Sequence, residues 1–282
     1  NCMPYCRIRM YNRKGRKGTC RHLKLKKWSS IRFAERKRIL FMLTLYQFPI
    51  SHYCEKVRWA LDYKGLVYTP INLLPGSHVK AVRKIAPKSE VPVLCHDDRV
   101  VQNSADIITY LDKTFPDRLL TPGSPDTEEQ ARQWEDYVDE NIGPYIRLYC
   151  YYHFLDRPDI LLPLLTQGQA WHRKLIFRLL FPRVRDVMRK FMHIDDRTAE
   201  LALKKLTRAI DKLHTQYEQT AFLAGTEFSR ADVAAASLLA PFTMPDKYGL
   251  EWPESIPHEL ETVVDSFRPR LHWVDALYRG YR

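Results

Sequence analysis

An α/β unit with a mixed sheet, followed by an all-helical half, is the fold class this 282-residue chain predicts. Three observations carry that reading. Short apolar runs alternate with helical patterns from Met42 to Lys113, which is the signature of strands and helices in one layered unit. Phe115–Asp126, FPDRLLTPGSPD, is rich in Pro, Gly and Asp and marks a linker. Beyond it only helical spacing recurs: Ala199, Leu203, Leu206, Ile210, Leu213 and Tyr217 follow at steps of 4, 3, 4, 3 and 4. The expected division is a basic, disordered extension at 1–41, an α/β domain at 42–120 and a helical domain at 125–282.

The elements follow in order. Leu43–Gln47 is a short apolar strand, Phe48-Pro49-Ile50 a turn, and Ser51-His52 the polar cap of a helix with Val57, Ala60 and Leu61 on its apolar side. Gly65 stops that helix and Leu66–Asn72 reads as a second strand, parallel to the first in a right-handed βαβ unit. Pro75-Gly76-Ser77 opens a short helix over His78–Ile85 that ends before Pro87. Val91–Cys95 and Arg99–Val101 pair across a three-residue turn, His96-Asp97-Asp98, as a hairpin. Ser104 is the expected cap of a helix over Ala105–Lys113, whose apolar side holds Ile107, Ile108 and Leu111. The order is β-α-β-α-β-β-α.

In the helical half, Thr127–Cys150 reads as one long helix bent near Gly143-Pro144. The segment FSRADV makes Ser229 an N-cap and Asp232 its N3 partner, a capping box, with Phe228 and Val233 as a hydrophobic staple. The helix it starts, Ala231–Leu239, is expected to stop at Pro241. Trp171–Met192 holds seven Lys/Arg against Asp186 among large apolar residues. It reads as a lid or packing helix with a solvated basic face, interrupted at Pro182, with peripheral membrane contact as the alternative.

Charge separates the chain further. Residues 1–41 hold 14 Lys/Arg against Glu35 alone, so the net +12 belongs to this extension and the rest is close to neutral. Few large apolar residues and no sustained period predict disorder there. Electrostatic binding to nucleic acid or anionic membrane, organelle targeting, and zinc held by Cys2, Cys6, Cys20 and His22 are competing readings. The preferred one is a fragment or mis-set start, with Met42 as the natural beginning, so that no nucleic-acid partner is expected. No uncharged apolar run reaches the roughly 18–20 residues of a membrane span. Cys54, Cys95 and Cys150 are odd in number and scattered, which fits a reducing, cytoplasmic setting.

The strand-turn-helix at Leu43–Leu61 is the candidate chemical centre. Free N–H groups and the positive end of the helix dipole meet at Ser51, so an anion there is stabilised. Which anion is answered by motifs downstream. Val91-Pro92-Val93-Leu94 resembles the V-P-x-L of the cytosolic glutathione transferases, whose proline is cis. Ser104, in QNSADIITYLDKTFP, resembles the Ser and Tyr-Leu frame of that family's E-S-x-A-I-x-x-Y-L, and FLAGTEFSRADV is similar to its F-L-x-G-x-x-x-S-x-A-D. SHYCEKVRWAL resembles the opening of zeta-like, omega-like and some bacterial members. The resemblance covers roughly residues 42–245.

It implies a thioredoxin-like N-terminal domain, a helical C-terminal domain, and glutathione as co-substrate with no metal. The implied activity is transfer of glutathione to a small hydrophobic electrophile, in detoxification and as a cytoplasmic homodimer. Glutathione-dependent isomerase or dehalogenase chemistry, or a non-catalytic ligand-binding role, are the alternatives. Ser51 falls at the family's thiolate-activating position, with Tyr53 and His52 as rivals and Cys54 as a packed residue. Val91, before cis-Pro92, would pair its backbone with the cysteinyl part. Ser104 and Asn103 would meet the γ-glutamyl carboxylate, although the family usually has Glu or Gln where Asn103 stands. Lys88, with His78 and Lys80, would face the glycyl carboxylate. Trp134, Tyr137 and Tyr145 are candidate walls for the second substrate.

Overall fold

The computed structural model describes residues 43–282. The basic extension over 1–41, its possible zinc ligands and Met42 lie outside the described residues. Strand β1 (Leu43–Gln47) alternates buried and half-buried positions, as a strand between two layers does. Helix α1 (His52–Tyr63) follows, then β2 (Tyr68–Asn72), α2 (His78–Val82), β3 (Val93–His96), β4 (Arg99–Gln102) and α3 (Ser104–Thr114). The sheet order is β2-β1-β3-β4, with β1 parallel to β2 and antiparallel to β3, and β3 antiparallel to β4. Leu43, Leu45 and Leu94 face α1 and α3 in the main core, while Val93 packs with Val82 and Ala86 in a small second core on the other face. This is the expected βαβαββα unit.

The helical half contains α4 (Pro125–Asn141), α5 (Gly143–Phe154), α6 (Pro158–Thr166), α7 (Trp171–Phe191), α8 (Asp196–Gln219), α9 (Arg230–Thr243), α10 (His258–Phe267) and α11 (His272–Tyr281). α9 is buried along nearly its whole length and packs on α1, so one core runs through both halves. Its capping box is present: Asp232 Oδ2 accepts from Ser229 N at 2.9 Å and from its hydroxyl at 3.0 Å.

Several boundaries differ from the expectation for physical reasons. The hairpin turn is two residues, because His96 pairs with Arg99 inside the ladder and Asp97 turns at φ 51°. The Thr127–Cys150 pattern is two helices that meet at Ile142, and Ser124 caps the first by accepting from Thr127 N. α9 runs past Pro241 to Thr243 and stops where Met244 takes φ 47°. Pro241 lies in the last turns, where it removes a single ladder bond from an otherwise buried helix. Pro182 likewise fails to interrupt α7, because solvent can satisfy the carbonyl it frees on so exposed a helix.

Candidate functional site

Strand register gathers the sequence-predicted residues at one end of the sheet. β1 ends at Gln47, and Ser51 follows it at the start of α1. Tyr46 pairs with Val93, so Val91-Pro92 lies just past that same end. Val93 in turn pairs with Gln102, which places Asn103-Ser104 and the start of α3 beside it. Two helix N-termini and a peptide segment thus converge outside the carboxyl ends of β1 and β2, where open α/β sheets bind their ligands.

Ser51 is half-buried and caps α1, its Oγ accepting from Cys54 N at 3.3 Å. The turn that delivers it is clamped by buried groups. Ser51 N donates to Phe48 O at 3.0 Å, Arg58 donates to Pro49 O at 3.1 Å, and the Tyr248 hydroxyl donates to Ile50 O at 2.9 Å. Arg58 is 6% exposed and also donates to Gln47 Oε1 (2.8 Å) and Glu55 Oε2 (2.7 Å). Glu55 receives Arg282 at 2.8 Å on its other oxygen. Arg58 is therefore the residue that ties the strand end, the turn and the helix together. The sequence shows it only as part of a spacing pattern, and Tyr248 carries no signal at all.

The peptide segment has open groups. The Val91-Pro92 bond is cis, and Val91's own N–H and C=O make no hydrogen bond among the described residues. Gln102 holds the approach to it, donating to Lys88 O at 2.9 Å and Glu90 O at 2.8 Å while accepting from Lys88 N at 3.2 Å. The Lys88 side chain is exposed, as is Lys80. His78 stands edge-on to Phe48 at 4.9 Å, with a buried Nδ1 that makes no hydrogen bond among the described residues; burial holds its pKa below the ordinary value.

At α3 the cap differs from the expectation. Asn103, at φ 85°, is the N-cap, and its Oδ1 accepts from Ala105 N at 2.8 Å and Asp106 N at 3.5 Å. Ser104 is the first helical residue, 3% exposed, and its hydroxyl and N–H have no partner among the described residues. Asn tolerates positive φ better than a longer side chain does, and a non-glycine residue held there is a mark of functional sites. Asn103 thus spends its oxygen on the helix, and its amide N–H groups make no hydrogen bond among the described residues.

The rivals for the activating role face elsewhere. The Tyr53 hydroxyl donates to Asp139 O at 2.8 Å and packs so closely on Gly143 that a Cβ there would clash. Burial, then the Asp139 carboxylate, raises its pKa, so it stays a neutral phenol. His52 is buried, its Nε2 without a hydrogen-bond partner among the described residues; burial, then Arg147, lowers its pKa to about 3. Cys54 is fully buried and its thiol is pushed up by that burial, which makes it a packed residue. Trp134 and Tyr137 lie under the Lys212 ammonium of α8, at 4.9 and 3.8 Å, and Tyr145 packs on the core. None of the predicted site residues lines either of two clefts of about 340 and 290 Å³, which sit over the linker.

A buried charge network behind the site escapes sequence reasoning. Lys56 on α1 reaches Glu135 at 2.8 Å and Asp139 at 2.7 Å on α4, and Arg230 on α9 reaches Glu135 at 2.5 Å. Arg230 also donates to Ala105 O at 2.9 Å in the first turn of α3. Burial works against charge on Lys56, yet Glu135 and Asp139 outweigh it and hold its pKa above the ordinary value. The available signal is Glu135 and Asp139 one helical turn apart, a like-charged pair that needs a cation when buried. Among the described residues no group of His, Cys, Asp and Glu is arranged to hold a metal ion.

Comparison with known proteins bears on the family. Residues 45–119 match the model for "Glutathione S-transferase, N-terminal domain", and residues 169–258 match "Glutathione S-transferase, C-terminal domain". Glutathione S-transferase TCHQD of Arabidopsis thaliana is 25% identical over 228 residues, covering 72% of this chain and 78% of that protein. Glutathione S-transferase Z1 of the same plant is 41% identical over 83 residues, 28% of this chain and 38% of that protein. Among solved structures, β-etherase LigF from Sphingobium sp. strain SYK-6 superposes with a TM-score of 0.56 at 20% identity, covering 83% of this chain and 98% of its own. With both domain models matched in order, the chain belongs to the glutathione S-transferase family.

Proposed function

We propose that this chain binds glutathione at the carboxyl end of its sheet and transfers it, as thiolate, to a small hydrophobic electrophile. The observation that carries the reading is the convergence of Ser51, the open Val91 backbone and the unpartnered Ser104 at one end of the sheet. In this reading Val91 N–H and C=O pair with the cysteinyl part as an added strand would. Ser104 and the Asn103 amide hold the γ-glutamyl carboxylate at the start of α3. Lys88 faces the glycyl carboxylate. The sulfur then lies at the start of α1 beside the Ser51 hydroxyl.

Glutathione's thiol resembles free cysteine, with a pKa of about 8.5, so little of it is thiolate at neutral pH. A hydroxyl donating to the sulfur, beside a helix N-terminus, lowers that pKa by about one to two units, each worth about 1.4 kcal/mol. The thiolate lone pair forms the new C–S bond, and the electrophile's leaving group departs with its bonding electrons. Serine at position 51 cannot form the mixed disulfide that a cysteine there would, which favours conjugation over redox exchange. The working form is a cytoplasmic homodimer, as is usual in the family.

The test is retention on immobilised glutathione followed by a conjugation assay with a generic aryl halide. Retention with turnover is the expected result. Retention without turnover makes the chain a ligand-binding member of the family, and loss of both contradicts the assignment of the site.

A further inference from the structure

α7 leaves most of its surface in solvent. Of its 21 residues only Phe177 and Phe181 are buried, and these two rings, with the half-buried Val184 and Met188, form its footprint on the core. At about 100° per residue, Trp171, Leu175, Ile176, Leu179 and Leu180 spread over the exposed half of the helix, with Leu175, Ile176 and Leu179 opposite that footprint and Trp171 and Leu180 toward its two flanks. They are 76, 52, 55, 74 and 45% exposed. Single exposed leucines need no explanation, but five large exposed apolar residues between 171 and 180, with Trp171, Leu175 and Leu179 stacked at i, i+4 and i+8, do.

The charges around the stripe say what covers it. Trp171–Phe191 holds seven Lys/Arg against Asp186. Arg185 and Arg189 pair with Asp156, whereas Arg173, Lys174, Arg178, Arg183 and Lys190 have no carboxylate partner among the described residues. By helical spacing Arg173 borders one edge of the stripe and Arg178 the other. An apolar strip rimmed by unpaired arginines is the layout of a helix lying in a lipid interface, with apolar side chains below the headgroups and cations at their level. No helix among the described residues is long and apolar enough to cross a membrane. A second copy of the chain fits less well, because a two-fold contact sets this cationic rim against itself.

We propose that α7 docks this protein on an anionic lipid surface, Trp171, Leu175 and Leu179 entering the headgroup boundary and the flanking arginines meeting lipid phosphates. Binding then requires both anionic lipid and the apolar stripe, and weakens with salt as the Debye length shortens.

The experiment is co-sedimentation of the full chain with phosphatidylcholine vesicles, with and without roughly one-third phosphatidylserine. Binding to the phosphatidylserine vesicles is expected, with a fall of at least tenfold in the Leu175→Glu/Leu179→Glu variant, since both changes remove insertable apolar area. Both residues are exposed, so the variant should keep the wild-type thermal midpoint. The difference in emission between wild type and Trp171→Phe should move to shorter wavelength on those vesicles alone. The proposal is overturned if the anionic vesicles do not bind. It is equally overturned if the double variant binds as wild type does, which would place the lipid contact elsewhere, the basic residues 1–41 included. Self-association abolished by the double variant, without vesicle binding, would make the face a contact between two copies and overturn it as well.

Discussion

At the scale of single residues, Ser51 and Tyr53 give opposite expectations. Ser51 holds the cap of α1 and, in the proposed mechanism, the sulfur. Ser51→Ala is expected to cost about 1 kcal/mol of stability through the lost cap. It should also lower kcat/KM at neutral pH by about 10- to 100-fold, with activity recovering as pH approaches the thiol's ordinary pKa. Tyr53→Phe removes only the bond to Asp139 O, so about 1 kcal/mol of stability should be lost with turnover kept. Chemical denaturation and a pH profile of conjugation separate the two; turnover lost in Tyr53→Phe and kept in Ser51→Ala would reverse the assignment. Tyr248→Phe is a positioning test, since its hydroxyl holds Ile50 O and nothing of it reaches the sulfur in this reading. A several-fold loss of kcat with unchanged glutathione retention is the expected pattern.

At the scale of elements, α1, α4 and α9 are joined by a charge network with nearly no solvent. Glu135→Gln weakens the carboxylate that Lys56 and Arg230 share, and a loss of roughly 3 kcal/mol in urea unfolding is expected. Elements whose cause is local were readable from the chain. The capping box at Ser229 needs only four consecutive residues, and α8 declares itself by its period. Boundaries governed by tertiary context were not. Proline stops were expected at Pro182 and Pro241, but solvent in one case and burial in the other let the helices continue. The candidate site divides in the same way. Ser51, the cis-proline segment and Ser104 were legible through short motifs. The Asn103 cap depends on a positive φ, and the Arg58–Tyr248 clamp joins residues 190 apart, so neither leaves a local trace.

At the scale of the whole molecule, acid should loosen the fold. The unfolded chain takes up a proton on His52 near the ordinary value of 6.5, while the folded chain refuses it down to about 3. That contribution is complete above pH 6.5 and is lost as pH falls from 6.5 toward 3, by up to a few kcal/mol. Burial pushes the Glu135 carboxyl up, but Lys56 and Arg230 outweigh it and hold its pKa below 4.5, so its contribution is lost only below that pH. Asp232, raised to about 6 by burial, works in the opposite sense between 3.8 and 6. Comparing His52→Gln with wild type isolates the histidine: the variant's stability should vary less with pH between 6.5 and 3. The account as a whole rests on Ser51 lowering the pKa of bound glutathione. Titrating that thiol by its ultraviolet thiolate absorbance, in wild type and in Ser51→Ala, tests it most directly. The account predicts a pKa about one to two units below 8.5 in wild type and a return toward 8.5 in the variant; the same pKa in both would contradict it.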